Sequence, residues 1–136
     1  MWTTRNRSGL VEQDENGVRT SYIPEKTGRE IYRIYTFGGS TMENIEVPNE
    51  YTIASNLVKI LSNSNLSSDY DFEIINFGSG AYTNTQEMIR LIYEYQRGFK
   101  DYGKPNLVVF LMELMIFFQV FTLRGQAFMM RMIELK

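Results

Sequence analysis

The chain has 136 residues, a net charge of −2, and 43% hydrophobic and 14% aromatic content. That suits a single domain near the small end of what buries a sizeable core, and the composition is that of a folded protein, with no electrostatic footprint for nucleic acid or an acidic membrane. Cysteine and histidine are both absent, which removes disulfides, thiolate chemistry, the commonest metal ligand and the commonest general base together.

Residues 1–29 are polar and carry turn formers at Asn16-Gly17, Pro24 and Gly28. They read as an irregular arm or a short hairpin, without the apolar core of a secretory signal. No run of about 18 apolar residues exists, so no bilayer span is expected, and localisation is not implied. From Ile31 to Phe37 the chain is rich in β-branched and aromatic residues, which predicts a strand running straight into Gly38-Gly39-Ser40-Thr41. After Pro48, Tyr51, Ala54, Leu57, Val58, Ile60 and Leu61 recur at helical spacing, and the Asn/Ser-rich stretch from Ser62 to Ser68 closes that helix.

A second strand is predicted from Phe72 to Phe77, ending in the turn Gly78-Ser79-Gly80-Ala81. The helix that follows is expected to set Met88, Ile89, Leu91, Ile92 and Tyr95 on one side, and Gly103 and Pro105 stop it. Asn106 to Leu111 is continuously apolar after its first residue, the pattern of a strand covered on both faces of a parallel sheet. Strand, helix, strand, helix, strand is a βαβαβ unit of a doubly wound α/β fold. Right-handed crossovers then bring Ser40 and the Gly78–Ala81 turn to the same carboxyl edge of the sheet.

At that edge, a serine following two glycines offers a hydroxyl nucleophile and an adjacent N–H as an oxyanion donor. The plainer reading makes Ser40 a helix cap and Gly39 a turn former. The second turn could also open a dinucleotide fingerprint. Thr83 stands where its third glycine belongs, however, and no acidic residue closes a following strand about 20 residues on. No cofactor is expected, and no metal, since the carboxylates show no ligand-like clustering.

IYRIYTFGGST, INFGSGAYTNTQEMIRLI and KPNLVVF, in that order and spacing, resemble the first blocks of SGNH hydrolases, the GDSL-like lipases and esterases. Gly17-Val18-Arg19 resembles the segment that often precedes the first block, so the resemblance covers residues 17–110. It implies a three-layer flavodoxin-like α/β fold with a parallel sheet, of which only the first βαβαβ part is present. It implies hydrolysis of esters, or acyl transfer, through an acyl-serine intermediate, with a small-molecule ester or acyl substrate in intact relatives. Ser40 matches the nucleophile, and its N–H an oxyanion donor. For the second donor, a gap-free count puts the family's glycine on Ala81, with Gly80 one place early, so either backbone N–H is a candidate. Gly39 replaces the aspartate of the GDS form, and Asn44 sits where glycine is usual.

The resemblance stops after Phe110. The family's third block should supply an oxyanion-hole asparagine and a late Asp-x-x-His the base, but the chain continues Leu111-Met112-Glu113-Leu114-Met115. Met112, Met115, Met129, Met130 and Met132 make up five of the eight methionines. One reading of this Met/Phe-rich tail is an apolar helix that packs on the sheet or binds a partner. The preferred expectation is a shifted reading frame. Methionine is ATG, so moving back one base turns Met followed by Met or Ile into GAT, aspartate. Leu111 to Ile116 then reads x-G-x-N-D where Asn is admitted, and Phe128 to Ile133 becomes an acidic loop. The expected organisation is therefore an arm at 1–29, a partial hydrolase-like domain at 30–111 and a tail at 112–136 out of frame. The chain as written is expected to be inactive; the alternative is a non-catalytic module binding an anion or a partner on the same turns. Oligomeric state is not implied.

Overall fold

The computed structural model describes residues 11–111, 117–120 and 129–132. Strand β1, Glu30–Gly38, lies at the centre of a three-stranded parallel sheet, flanked by β2, Tyr70–Asn76, and β3, Leu107–Leu111. Ile34 sits in register with Ile74 on one side and Leu107 on the other. Parallel neighbours need long crossovers. These are supplied by helix α2, Ile53–Ser62, after the short α1, Ser40–Glu43, and by α3, Asn84–Gln96. The architecture is α/β, as the order of predicted elements required.

Alternate residues of the sheet feed two separate cores, because successive side chains of a strand point to opposite faces. On one face Ile34, Phe72 and Ile74 pack with Ala54 and Val58 of α2. Thr52 starts that helix by accepting the Ser55 N–H on its hydroxyl at 3.1 Å. Two residues of the expected apolar face depart from it. Tyr51 belongs to a preceding 3-10 turn, Asn49–Tyr51, and Ile60 lies round the helix from Val58, so both are exposed.

The other core is aromatic. Tyr35, Phe37, Phe77, Phe99 and Phe110 pack with Val18 and Val108 beneath α3, and the Phe37 ring stacks on Phe77 and Phe110 with centroids 4.9 and 5.0 Å apart. The orientation of α3 differs from the sequence expectation. Glu87, Arg90 and Glu94 face inward, Leu91 is half-buried, and Met88, Ile89, Ile92 and Tyr95 are exposed. The rings beneath explain how a polar stripe is tolerated. The Arg90 guanidinium lies 4.9 Å above the Phe77 ring while pairing with Glu94 at 2.9 Å, so its charge meets both a π face and a carboxylate.

The described part of the arm, 11–29, pairs on itself through an isolated antiparallel bridge between Gln13 and Arg19 and docks on the sheet through a second one between Arg19 and Asn76. Asp14 builds its turn, accepting the N–H groups of Asn16 and Val18 at 2.9 Å each. In the tail, β4, Phe117–Val120, pairs antiparallel with β5, Met129–Met132. Where described, the tail is thus extended and not the apolar helix of the first reading. Residues 112–116, on which the shifted x-G-x-N-D mostly falls, lie outside the described residues, as do 128 and 133 of the second shifted stretch. Among the described residues no helix is long and apolar enough to cross a membrane.

Candidate functional site

Ser40 is the first residue of α1, exposed at the carboxyl end of β1. The cap of that helix is Gly39, whose carbonyl accepts the N–H groups of Met42 at 3.1 Å and Glu43 at 3.0 Å. Ser40 therefore does not occupy the capping position that its plainer reading assigned to it. Asn44 ends α1 with φ 52° and donates its N–H to the Ser40 carbonyl at 2.7 Å. Left-handed backbone favours glycine and tolerates asparagine next best, so Asn44 suits this position.

The second turn is pressed against the first. A Cβ on Gly78 would lie 2.5 Å from the Glu43 backbone nitrogen and 2.6 Å from the Met42 carbonyl carbon, so only glycine lets β2 end there. Gly38 is similarly enclosed, by Met42 Cβ at 2.7 Å and the Leu111 carbonyl oxygen at 2.9 Å. Hydrogen bonds then stitch the turns together. The Ser79 N–H donates to the Gly38 carbonyl at 3.0 Å, and the Asn76 side-chain amide donates to the Met42 carbonyl at 3.0 Å. Asn76 Oδ1 in turn accepts the Gly78 N–H at 2.9 Å. The Gly80 N–H donates to the Glu43 carboxylate.

Ser40, Gly80 and Ala81 all lie on this edge, and all are exposed. The two oxyanion candidates differ in backbone. Ala81, where the gap-free count expects glycine, has φ 66°, a conformation L-residues rarely adopt, whereas Gly80 is not left-handed. Tyr82 donates its N–H to the Ser79 carbonyl at 3.1 Å and closes the turn, and burial pushes its phenol upward while Arg90 opposes the shift.

Three residues that build the site escaped sequence reasoning. Arg19 is 1% exposed and anchors the loop after α1. Its guanidinium donates to the carbonyls of Glu43 at 2.5 Å, Asn44 at 2.7 Å and Val47 at 2.6 Å, and its Nε to Asn49 Oδ1 at 3.2 Å. Burial draws its pKa down, while the Glu43 carboxylate pulls it back up. Asn76 and Glu43 are the others. The only local signal was Arg19 closing the Gly17-Val18-Arg19 segment; its burial depends on a loop 24 to 28 residues away.

Among the described residues no group of three or more acidic side chains could hold a metal ion. The asparagine expected after β3 falls on residues outside the described set. No family model matches the chain, and no curated protein sequence matches it.

Proposed function

We propose that the chain carries the N-terminal βαβαβ part of an SGNH-type serine hydrolase domain of flavodoxin-like architecture, with Ser40 at the nucleophile position. The observation that supports it best is the joining of two glycine turns at one sheet edge: Ser79 N–H to Gly38 carbonyl at 3.0 Å, with Ser40 exposed beside them. The left-handed backbone at Ala81 and Asn44, both positions where the family resemblance expects glycine, supports the same register.

In an intact member, the Ser40 hydroxyl attacks an ester carbonyl while a base takes its proton. The oxyanion is held by the Ser40 N–H and an N–H of the Gly80–Ala81 turn, the alcohol leaves, and water hydrolyses the acyl-serine. The 136 residues contain no histidine, so the imidazole that would activate Ser40 is not among them, and the chain as given is expected to be inactive. The tail beyond Leu111 is read one base out of frame, through a genuine frameshift or a sequencing error.

Sequencing the gene through the codons for Leu111 to Ile116 tests the frame: an early stop, or no Asn-Asp pair in the shifted frame, ends that idea. The family reading is tested on the product in the shifted frame with a fluorophosphonate probe and a p-nitrophenyl ester. Labelling lost in Ser40→Ala is expected; a folded product that neither labels nor turns over contradicts the reading. The unshifted chain is expected to do neither. A second reading, a non-catalytic anion-binding module, draws on one observation, the carboxylate already held by the Gly80 N–H.

A further inference from the structure

We propose that the outward face of α3 pairs with the same face of a second copy of the chain, the two helices crossing antiparallel about Ile92. The pairing is independent of the serine-hydrolase reading and of Ser40.

Helix α3 is built inside out. Its charged residues, Glu87, Arg90 and Glu94, are only 0–5% exposed, whereas Met88, Ile89, Ile92, Tyr93 and Tyr95 are 37–68% exposed. The other exposed positions of the helix, Asn84, Thr85, Gln86 and Gln96, are uncharged, so its solvent side carries no charge from end to end. A surface helix ordinarily shows the reverse pattern. At about 150–250 Å² for a large side chain, these exposures leave roughly 500 Å² of largely apolar surface on one helix. That lies in the upper part of the ~300–600 Å² of the largest patch on a typical monomer. It is also more than half of the ~800 Å² that each partner contributes to a specific interface.

Two features make a second copy the occupant. Across a two-fold axis each residue near the axis meets itself, so any charge there meets a like charge. The outward face of α3 presents none. The next charge along the chain, Arg97, already pairs with Asp101 at 2.8 Å and lies over the Tyr93 ring at 5.0 Å. A charge-free face also gives a different protein no electrostatic handle for specificity. The second feature is spacing. Met88, Ile92 and Tyr95 are four and three residues apart and form one seam along the helix. Antiparallel pairing about Ile92 sets Ile92 on its own copy. It also sets Met88 of each copy on Tyr95 of the other, a thioether against an aromatic ring at both ends.

The test uses the full chain in sedimentation equilibrium. Wild type is expected to pass from monomer to dimer through the micromolar range. Ile92→Glu and Ile92→Lys each place like charges on the axis and are expected to weaken the dimer at least about tenfold. Mixing the two variants should restore it, because the charges then oppose. The chain has no cysteine, so Ile92→Cys adds a single thiol. With diamide as oxidant it should link to its own copy as a disulfide, while Ile60→Cys, more exposed and on α2, should stay unlinked. Wild type that is still monomeric at about 500 µM overturns the proposal. A dimer that Ile92→Glu leaves intact also overturns it, since the interface then lies elsewhere. So do charged variants that fail to recombine while Ile92→Cys links no faster than Ile60→Cys, since α3 then does not meet its own copy. Circular dichroism checks that each variant folds. If the charged variants do not, Ile92→Cys against Ile60→Cys decides alone.

Discussion

Asn76 and Met42, 34 residues apart, are joined by a hydrogen bond of 3.0 Å from the side-chain amide of the first to the carbonyl of the second. Asn76 is wholly buried, and its Oδ1 also accepts the Gly78 N–H at 2.9 Å. One side chain thereby fixes the end of β2 against α1. Asn76→Ala leaves a buried carbonyl and a buried N–H without partners, at about 1–3 kcal/mol for each group that water cannot reach. Urea unfolding should show a lower midpoint with an unchanged slope.

The glycines of the second turn should respond unequally to alanine. Gly78→Ala drives a methyl into the α1 backbone, which cannot step aside, and is expected to cost about 1–3 kcal/mol or prevent folding. Gly80→Ala meets only the far end of the Glu43 side chain and should be milder. Thermal melts of the two variants side by side check the order.

Ala81→Gly should stabilise the protein. Its φ of 66° is costly for an L-residue, by roughly 1–2 kcal/mol, and glycine removes that cost while adding some flexibility to the unfolded chain. The net expectation is a gain of about 0.5–1 kcal/mol in denaturant unfolding. A loss would mean that the alanine methyl makes a contact worth more than the strain.

Arg19→Met keeps most of the side-chain volume but withdraws donors from the carbonyls of Glu43, Asn44 and Val47. Hydrogen bonds from a charged donor contribute about 1.5–3 kcal/mol each, and they are not additive, so a loss of about 2–4 kcal/mol is expected. Hydrogen exchange should show the 44–47 loop opening before the sheet.

Asp71 gives folding a pH dependence. The Thr27 hydroxyl, at 2.7 Å, is the main cause that holds its carboxyl below the ordinary range, and the N–H groups of Thr27, Arg29 and Gly28 add to it while burial opposes. A carboxyl harder to protonate folded than unfolded favours folding above its unfolded pKa of about 4. That contribution fades as pH falls through the folded value. Melting temperatures of wild type and Asp71→Asn should differ most near neutrality and converge in acid. A constant gap would mean that the carboxylate charge is not what holds the 27–29 turn.

Much of the scaffold was legible because it depends on local periodicity. The runs that became β1, β2 and β3 are β-branched or aromatic, and glycine turns follow the first two, so parallel strands with crossover helices were the consistent solution. The face of α3 was misjudged for a physical reason. Five apolar residues at helical spacing ordinarily turn inward, yet an arginine that can lie over Phe77 and pair with Glu94 competes for the same interior, and no window of the helix alone contains that ring.

The candidate site divides along the same line. Ser40 and the Gly78–Ala81 turn stood out in the sequence, since two glycines before a serine and a glycine turn after a strand are short-range signals tied to backbone conformation. Which glycine meets a backbone, which N–H already holds a carboxylate, and that Arg19 and Asn76 bind the turns together were decided only by tertiary structure. Those contacts join residues 24 to 37 positions apart. Their energy comes from burying polar groups against partners that arrive by the fold, and local pattern carries no record of such partners.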